Sequence, residues 1–146
     1  MNRLNLITLG VKDLVESIQF YRDGLGFDVV VYGDETNPDF VFFNNGGSKI
    51  SLFQMDELAK DINAEEPPVI TEGFGGITLA YNGKSKEEVD EVFALAEKAG
   101  AKIVKHPQTV FWGGYSGYFQ DPNGFYWEAA YGEMWEFDEN DMLIIK

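Results

Sequence analysis

Apolar and polar positions follow nearly the same pattern twice along the chain. An apolar stretch at residues 6–9 opens one half, and a similar stretch at residues 76–79 opens the other, an offset of 70 residues. Each half continues with a helix-like segment and closes on a glycine followed by alternating residues, at 47–53 and at 124–130. This period is too long for a solenoid repeat and too short for two ordinary domains. The pattern therefore predicts two half-domains that share one cavity.

The first half is predicted to form a strand, a helix and three further strands. Asp13 is placed to cap the helix, and Glu16 stands three residues later, as in a capping box. Apolar residues then recur at helical spacing. This apolar stripe consists of Leu14, Ile18, Tyr21 and Leu25. The predicted strands cover residues 4–11, 28–32, 40–43 and 49–53, with turn residues such as Asn37 and Pro38 between them.

The second half repeats this order. Ser85 and Glu88 form a capping box before a second helix, and Gly100 ends that helix. The apolar stripe of the helix consists of Val89, Val92, Phe93, Ala96 and Ala99. The predicted strands cover residues 76–81, 102–105, 111–112, 115–120 and 125–131. The apolar run at the end of the chain, residues 142–145, is predicted to dock on the same chain or on a partner.

These elements predict an α+β fold within one domain, residues 1–146. Short hairpin turns make the last three strands of each βαβββ unit antiparallel, and the helix packs on one face. Two such units are predicted to form a curved, mostly antiparallel eight-stranded sheet around a cavity, with the helices outside. The predicted boundaries are about 1–55 for unit one, 56–72 for a linker, 73–132 for unit two and 133–146 for a tail.

Composition narrows the expected partners. The formal net charge of −14 makes nucleic acids and anionic membrane surfaces poor partners, whereas a cationic or neutral ligand is easier to accommodate. The chain contains no cysteine, which excludes disulfides and thiolate chemistry. It has no apolar signal segment and no run of membrane-spanning length, so a cytoplasmic location is expected.

Two stretches of the chain resemble the vicinal oxygen chelate superfamily, which includes glyoxalase I, extradiol dioxygenases and bleomycin-resistance proteins. The first stretch, residues 7–27, contains Phe20-Tyr21 before a Leu25-Gly26-Phe27 turn. The second has the form Phe-x-Asp-Pro-x-Gly-x-x-x-Glu and ends at Glu128. Together with the duplication, these stretches cover nearly the whole chain. The resemblance also implies a homodimer.

In metal-using members of this superfamily, the ligands of a divalent ion come from the first and last strands of each unit. Carried over to this chain, the ligand positions are Leu6, Ser51, Gly76 and Glu128. Leucine and glycine offer no side-chain donor and serine is a weak neutral ligand, so only Glu128 suits a divalent ion. The sole histidine, His106, lies on a different predicted strand. We therefore expect no metal ion and no other cofactor.

Glu128 is the only catalytic candidate, and three roles are open to it. A carboxylate in an aromatic-walled cavity either takes up a proton or attracts a cation. It can thus anchor an amine or guanidinium group of a ligand, act as a general base, or persist as a hydrogen-bonded remnant of the family site. The first role makes the protein a metal-free binder of a small aromatic or cationic molecule. The second makes it an enzyme of glyoxalase or lyase character, and a non-standard metal site would lead to the same alternative.

Several side chains are expected to bind the small-molecule ligand together with Glu128. Strict alternation places Tyr126 on the same face as Glu128, and the duplication relates Ser51 and Phe53 to that face. Residues 111–115, with their paired glycines, resemble a mobile rim that lines the ligand cavity in the family. The expected ligand-binding residues are therefore Glu128, Trp112, Tyr115, Tyr126, Ser51 and Phe53.

Overall fold

The computed structural model describes residues 4–145 and divides into two compact units between Gly73 and Phe74. The N-terminal unit begins with β1 (Leu6–Val11) and α1 (Leu14–Ile18), which continues into a π-helical turn at Gln19–Gly24. Then follow β2 (Val29–Asp34), β3 (Asn37–Phe43), β4 (Lys49–Gln54) and α2 (Met55–Ile62). Its four strands form one sheet in the order β1-β4-β3-β2, with β1 and β4 parallel and the other pairs antiparallel.

The C-terminal unit has the same topology. It contains β5 (Thr78–Asn82), α3 (Lys86–Lys98), β6 (Lys102–Thr109), β7 (Tyr115–Gln120) and β8 (Tyr126–Tyr131). The strand order is β5-β8-β7-β6, again with the first pair parallel and the others antiparallel. The α+β class and the two βαβββ units are therefore confirmed.

Both predicted helix caps are present. The Asp13 carboxylate accepts a hydrogen bond from the Glu16 backbone N–H at 2.9 Å, and the Ser85 hydroxyl accepts one from the Glu88 N–H at 3.1 Å. The Glu88 carboxylate accepts from the Lys84 N–H at 2.6 Å, one residue before the cap. The first turn of each helix is thus fixed by side-chain acceptors that the sequence supplies.

Each unit has its own core between helix and sheet. In the N-terminal unit, Tyr21 is fully buried against Phe43, with ring centroids 4.9 Å apart. In the C-terminal unit, Phe93 of α3 meets Phe119 of β7 edge to face at 5.6 Å, and Phe119 stacks with Trp127 of β8. Edge-to-face and offset contacts of this kind add to the gain from burying the rings. One face of each sheet is therefore committed to the core.

The predicted turn at Asn37 and Pro38 is wrong, because both residues belong to β3. The turn lies at residues 35–36, where the Asp34 carboxylate accepts hydrogen bonds from the backbone N–H and the hydroxyl of Thr36. Pro38 is tolerated because it pairs with Gly33 at a bulge, where the regular ladder is interrupted.

Two further expectations are corrected. The predicted strand at residues 111–112 is a turn, because the Gly113 N–H bonds to the Val110 carbonyl and Gly113 adopts a φ of +87°. The predicted linker begins with α2, an amphipathic helix that was not expected. Its Met55 and Leu58 pack beside Gly10, where an added Cβ would lie 2.5 Å from the Met55 sulfur.

The final segment is tied to the C-terminal unit. Phe137 and Leu143 form an isolated antiparallel bridge, and the Lys84 ammonium pairs with the Asp141 carboxylate. In the part of the chain that the structure describes, no helix has the length and apolar character needed to cross a membrane.

We predict that Leu52→Ala destabilises the protein by about 2–5 kcal/mol, because Leu52 is fully buried on the core face of β4 and its removal leaves a cavity. Ile62→Ala, at an α2 position that is 66% exposed, is the control in the same unit and should change the free energy of unfolding by less than about 0.5 kcal/mol. Urea unfolding measures both. Equal effects would contradict the assignment of the core face.

Candidate functional site

In the C-terminal unit, one face of the sheet packs against the core and the other does not. One row of paired residues on this second face contains Glu128. Strand register places Glu128 of β8 between Ala80 of β5 and Tyr118 of β7, and Tyr118 opposite Lys105 of β6. The neighbours of Glu128 on its strand, Trp127 and Ala129, are buried toward α3. Since successive side chains alternate between faces, Glu128 and Tyr118 lie on the other face. We call this the open face of the C-terminal sheet.

Tyr118 is coupled to the Glu128 carboxylate. Burial raises the pKa of the Tyr118 phenol, and the negative charge of Glu128 and a hydrogen bond to its carboxylate raise it further. These effects act in the same direction because ionising the phenol would place a second negative charge beside the carboxylate and break the bond. Tyr118 is therefore kept in its neutral form beside the half-buried carboxylate.

Lys105 and Tyr126 complete the surroundings of this pair. The Lys105 ammonium lies 5.9 Å from the Tyr118 ring centroid, within range of a cation–π contact. Tyr126 lies two residues before Glu128 on β8 and pairs with Thr78 of β5. Its ring contacts that of Phe74 edge to face, with ring centroids 5.5 Å apart. Phe74 is 66% exposed. The open face thus combines one carboxylate with a wall of aromatic rings.

Trp112 and Tyr115 make different contacts in the C-terminal unit. Trp112 stacks with Trp135 at a centroid distance of 5.8 Å and lies over Gly114, where the absence of a side chain makes room for the ring. The Tyr115 hydroxyl donates to the Asp90 carboxylate of α3 at 2.9 Å, so Tyr115 faces the helix side of the sheet. Alternation along β8 places Tyr126, in contrast, on the face of Glu128.

Ser51 and Phe53 lie on β4 of the N-terminal unit. Ser51 is buried, and its hydroxyl is hydrogen-bonded to that of Thr8 at 2.8 Å. Phe53 packs against Phe40 of β3, with ring centroids 4.3 Å apart. Register places Thr8, Ser51 and Phe42 in one row, the counterpart of Ala80, Glu128 and Tyr118. Where one unit has a carboxylate, the other has a pair of mutually satisfied hydroxyls.

Two residues of the site were not predicted from the sequence. In the sequence, Tyr118 falls within the predicted strand at residues 115–120 and Lys105 ends the predicted strand at residues 102–105, but neither is marked by its residue type. The pairing of β7 with β8 would have identified Tyr118, because a hairpin closed at the Asp121–Gly124 turn places Tyr118 opposite Glu128. The register of β6 is interrupted by irregularities on both sides of Lys105, so its position could not be obtained by counting residues.

The positions that correspond to metal ligands in the family do not form a donor set. Leu6 starts β1 opposite Lys49, and Gly76 precedes β5 in a left-handed conformation with φ of +78°. His106 is exposed on β6. Within residues 4–145, no group of three or more His, Asp or Glu side chains is arranged to hold a metal ion.

The duplicated topology and the sequence define the class of protein. The model of the Glyoxalase/Bleomycin resistance protein/Dioxygenase superfamily matches residues 3–129. The uncharacterized protein YraH of Bacillus subtilis (strain 168) is 26% identical over 122 residues, covering 83% of this chain and 91% of that protein.

Solved structures support the same relationship. A glyoxalase-related enzyme from Fulvimarina pelagi is similar with a TM-score of 0.87 and 26% identity, over 99% of both chains. The lactoylglutathione lyase from Agrobacterium tumefaciens is similar with a TM-score of 0.67 and 27% identity, over 94% of this chain and 98% of that one. The chain belongs to the Glyoxalase/Bleomycin resistance protein/Dioxygenase superfamily, which confirms the resemblance in its sequence.

We predict that Glu128→Gln lowers the pKa of Tyr118, because removing the carboxylate charge makes the phenolate less unfavourable. NMR titration of protein carrying tyrosines labelled with ¹³C at Cζ, with Tyr118→Phe to assign the signal, measures this pKa. Tyr81 is an internal control: burial and a hydrogen bond to Glu88 raise its pKa to about 12, and the substitution should leave it unchanged. An unchanged Tyr118 titration would show that the two groups are not coupled.

The same coupling sets the sign of a pH effect on stability. The folded-state pKa of Tyr118 is raised above the unfolded-state pKa of about 10. Its contribution to the free energy of unfolding is therefore fully present below about pH 10, and it is lost as the pH rises through the folded-state pKa.

Proposed function

We propose that this protein binds a small cationic or aromatic molecule on the open face of its C-terminal sheet, with Glu128 as the anchor and without a metal ion. The register pair of Glu128 and Tyr118, a carboxylate beside a phenol on the open face, is the observation that carries the proposal. A half-buried carboxylate on a strand that is paired on both sides is preorganised to receive a donor from a ligand.

The charge of Glu128 favours a ligand with an amine, amidine or guanidine group. Among the described lysines and arginines, none forms an ion pair with Glu128 within 4.0 Å. A carboxylate has about four acceptor positions, so Glu128 has capacity for a cationic donor even beside the Tyr118 hydroxyl. Charge-assisted hydrogen bonds to a carboxylate are roughly twice as strong as neutral ones, and this strength selects a cation.

The aromatic residues favour a ligand with a flat ring. Tyr126 projects from the same face two residues before Glu128, and Phe74 contacts its ring while remaining largely exposed. A planar ring can cover these surfaces while its cationic group reaches the carboxylate. Lys105 beside Tyr118 disfavours a second positive charge at the other end of the row, so a monocation is the preferred class.

The donor set supports a metal-free mode of binding. Divalent ions in this type of site need three or four nitrogen or oxygen ligands that converge on one point. Here Leu6 and Gly76 offer no side-chain donor, and the Ser51 hydroxyl is engaged with Thr8. Glu128 alone can contribute a charged ligand. The carboxylate that the family uses for a metal is therefore available to bind the organic ligand directly.

We predict that benzamidine stabilises the protein against heat and that benzamide, its neutral counterpart, does not. The expected gain at saturation follows mass action, about 1.4 kcal/mol when the ligand concentration is tenfold above Kd. Glu128→Gln should abolish the effect because the amidinium loses its anionic partner. Differential scanning calorimetry over a series of benzamidine concentrations measures the stabilisation.

Glu133→Gln is the matched control, because Glu133 is an exposed glutamate of the same unit. This variant should respond to benzamidine like the unmodified protein. The proposed function fails if both variants respond equally, or if benzamide stabilises the protein as strongly as benzamidine.

We also predict that the protein does not retain divalent metals. After incubation with Ni²⁺, Zn²⁺, Mn²⁺ or Fe²⁺ and gel filtration, mass spectrometry of the tag-free protein should find far less than one ion per chain, because a single carboxylate cannot hold the ion. Stoichiometric retention of any of these ions would contradict the metal-free proposal.

A further inference from the structure

A cleft lies within the N-terminal unit. Its volume is about 900 Å³, and it is lined by the β2–β3 hairpin, the end of β4, the segment between β1 and α1, the start of α1 and Glu57 of α2. This volume falls within the range of about 300–1,000 Å³ that small-molecule sites occupy. All of its lining residues belong to the N-terminal unit.

Three aromatic residues give the cleft an apolar wall. Phe53 of β4 and Phe40 of β3 lie with ring centroids 4.3 Å apart and an angle of 30° between their planes. Tyr32 of β2 pairs with Phe40 across the hairpin. Tyr32 is 56% and Phe40 is 38% exposed, so their rings leave apolar area open to solvent. A planar ring placed on this wall would remove that area from water.

The second side of the cleft depends on Gly10. This residue of β1 leaves room for Met55 and Leu58, which bring α2 against the strand and place Glu57 at the edge of the cleft. The Gln54 amide also donates to the Lys12 carbonyl at 2.7 Å and fixes the end of β4 to the segment after β1. The cleft is therefore held by packing and hydrogen bonds on the side opposite the hairpin.

Acidic side chains dominate the charge of the cleft. Asp13, Asp39 and Glu57 line it, against Lys12 as the one cationic side chain among its described lining residues. The Asp13 carboxylate caps α1, and Glu57 pairs with Lys60 at 2.6 Å. Asp39 has no ion pair within the described part of the chain. It is therefore the carboxylate that is best placed to receive a cation from outside.

We propose that this cleft is a binding site for a planar organic cation, which stacks on the exposed ring of Phe40, itself backed by Phe53, and pairs with Asp39. An exposed aromatic wall with an acidic rim is complementary to such a molecule in both shape and charge. An anionic ligand does not match the charge of the rim, and an aliphatic ligand does not match the shape of the aromatic wall.

Proflavine, a planar cation, and acridone, an uncharged ring system of similar shape, are the probes for this site. In ¹H–¹⁵N correlation spectra of the full chain, proflavine should shift the amide signals of residues 32–40 in a saturable manner, and acridone should do so far more weakly. The absence of saturable shifts in this hairpin, or equal responses to both probes, would overturn the proposal.

Variants then identify the groups responsible. Asp39→Asn should raise the proflavine Kd about threefold, the effect of one partly screened ion pair. Phe40→Ala should raise it about three- to fivefold through the loss of stacking and cation–π contact. Asp61→Asn, at an exposed α2 position outside the cleft, is the matched control and should leave the Kd unchanged.

Glu128→Gln separates this inference from the proposed function. The hairpin shifts should retain their Kd in that variant, whether or not benzamidine binds at Glu128. A Kd that responds to Glu128→Gln but not to Asp39→Asn would contradict the assignment of the cleft. If Phe40→Ala does not fold, Asp39→Asn decides the outcome, because it changes one exposed side chain without altering its size.

Discussion

The pairing of Tyr118 with Glu128 is the interaction on which the functional account depends. It exists because the β5-β8-β7 register places a carboxylate beside a phenol on the sheet face that the core does not use. The other face is occupied by Trp127, Ala129 and Phe119, which pack toward α3. A charged group is thus kept at a defined position on a half-buried surface, where it favours a cationic partner.

The two units show how one topology can support different chemistry. Both have the same strand order, and corresponding rows of their sheets hold Thr8 with Ser51 in one unit and Ala80 with Glu128 in the other. The two hydroxyls satisfy each other, whereas the carboxylate can accept further donors. Membership of the superfamily establishes the scaffold, but the side chains of each row decide what that scaffold binds.

The features that the sequence predicted correctly are those that depend on neighbouring residues in the chain. Helix caps at Asp13 and Ser85 and the two βαβββ units follow from residue type and periodicity. The sequence did not predict α2, because acidic residues and the following prolines resemble a linker. Tyr115 was expected beside the ligand because of the resemblance to the family's rim, but it precedes Tyr118 by three residues on β7, and alternation therefore puts it on the helix side, where it bonds to Asp90 of α3. The N-terminal cleft was also missed, because segments distant in sequence meet only through strand pairing and the packing of α2.

The most direct test of the central claim is a crystal structure of the protein grown with benzamidine and a mixture of divalent metal ions. The account predicts the amidinium within about 3 Å of the Glu128 carboxylate, with the Tyr118 ring beside it and no metal ion at that carboxylate. A divalent ion bound to Glu128 and to two or more other protein atoms would contradict the account.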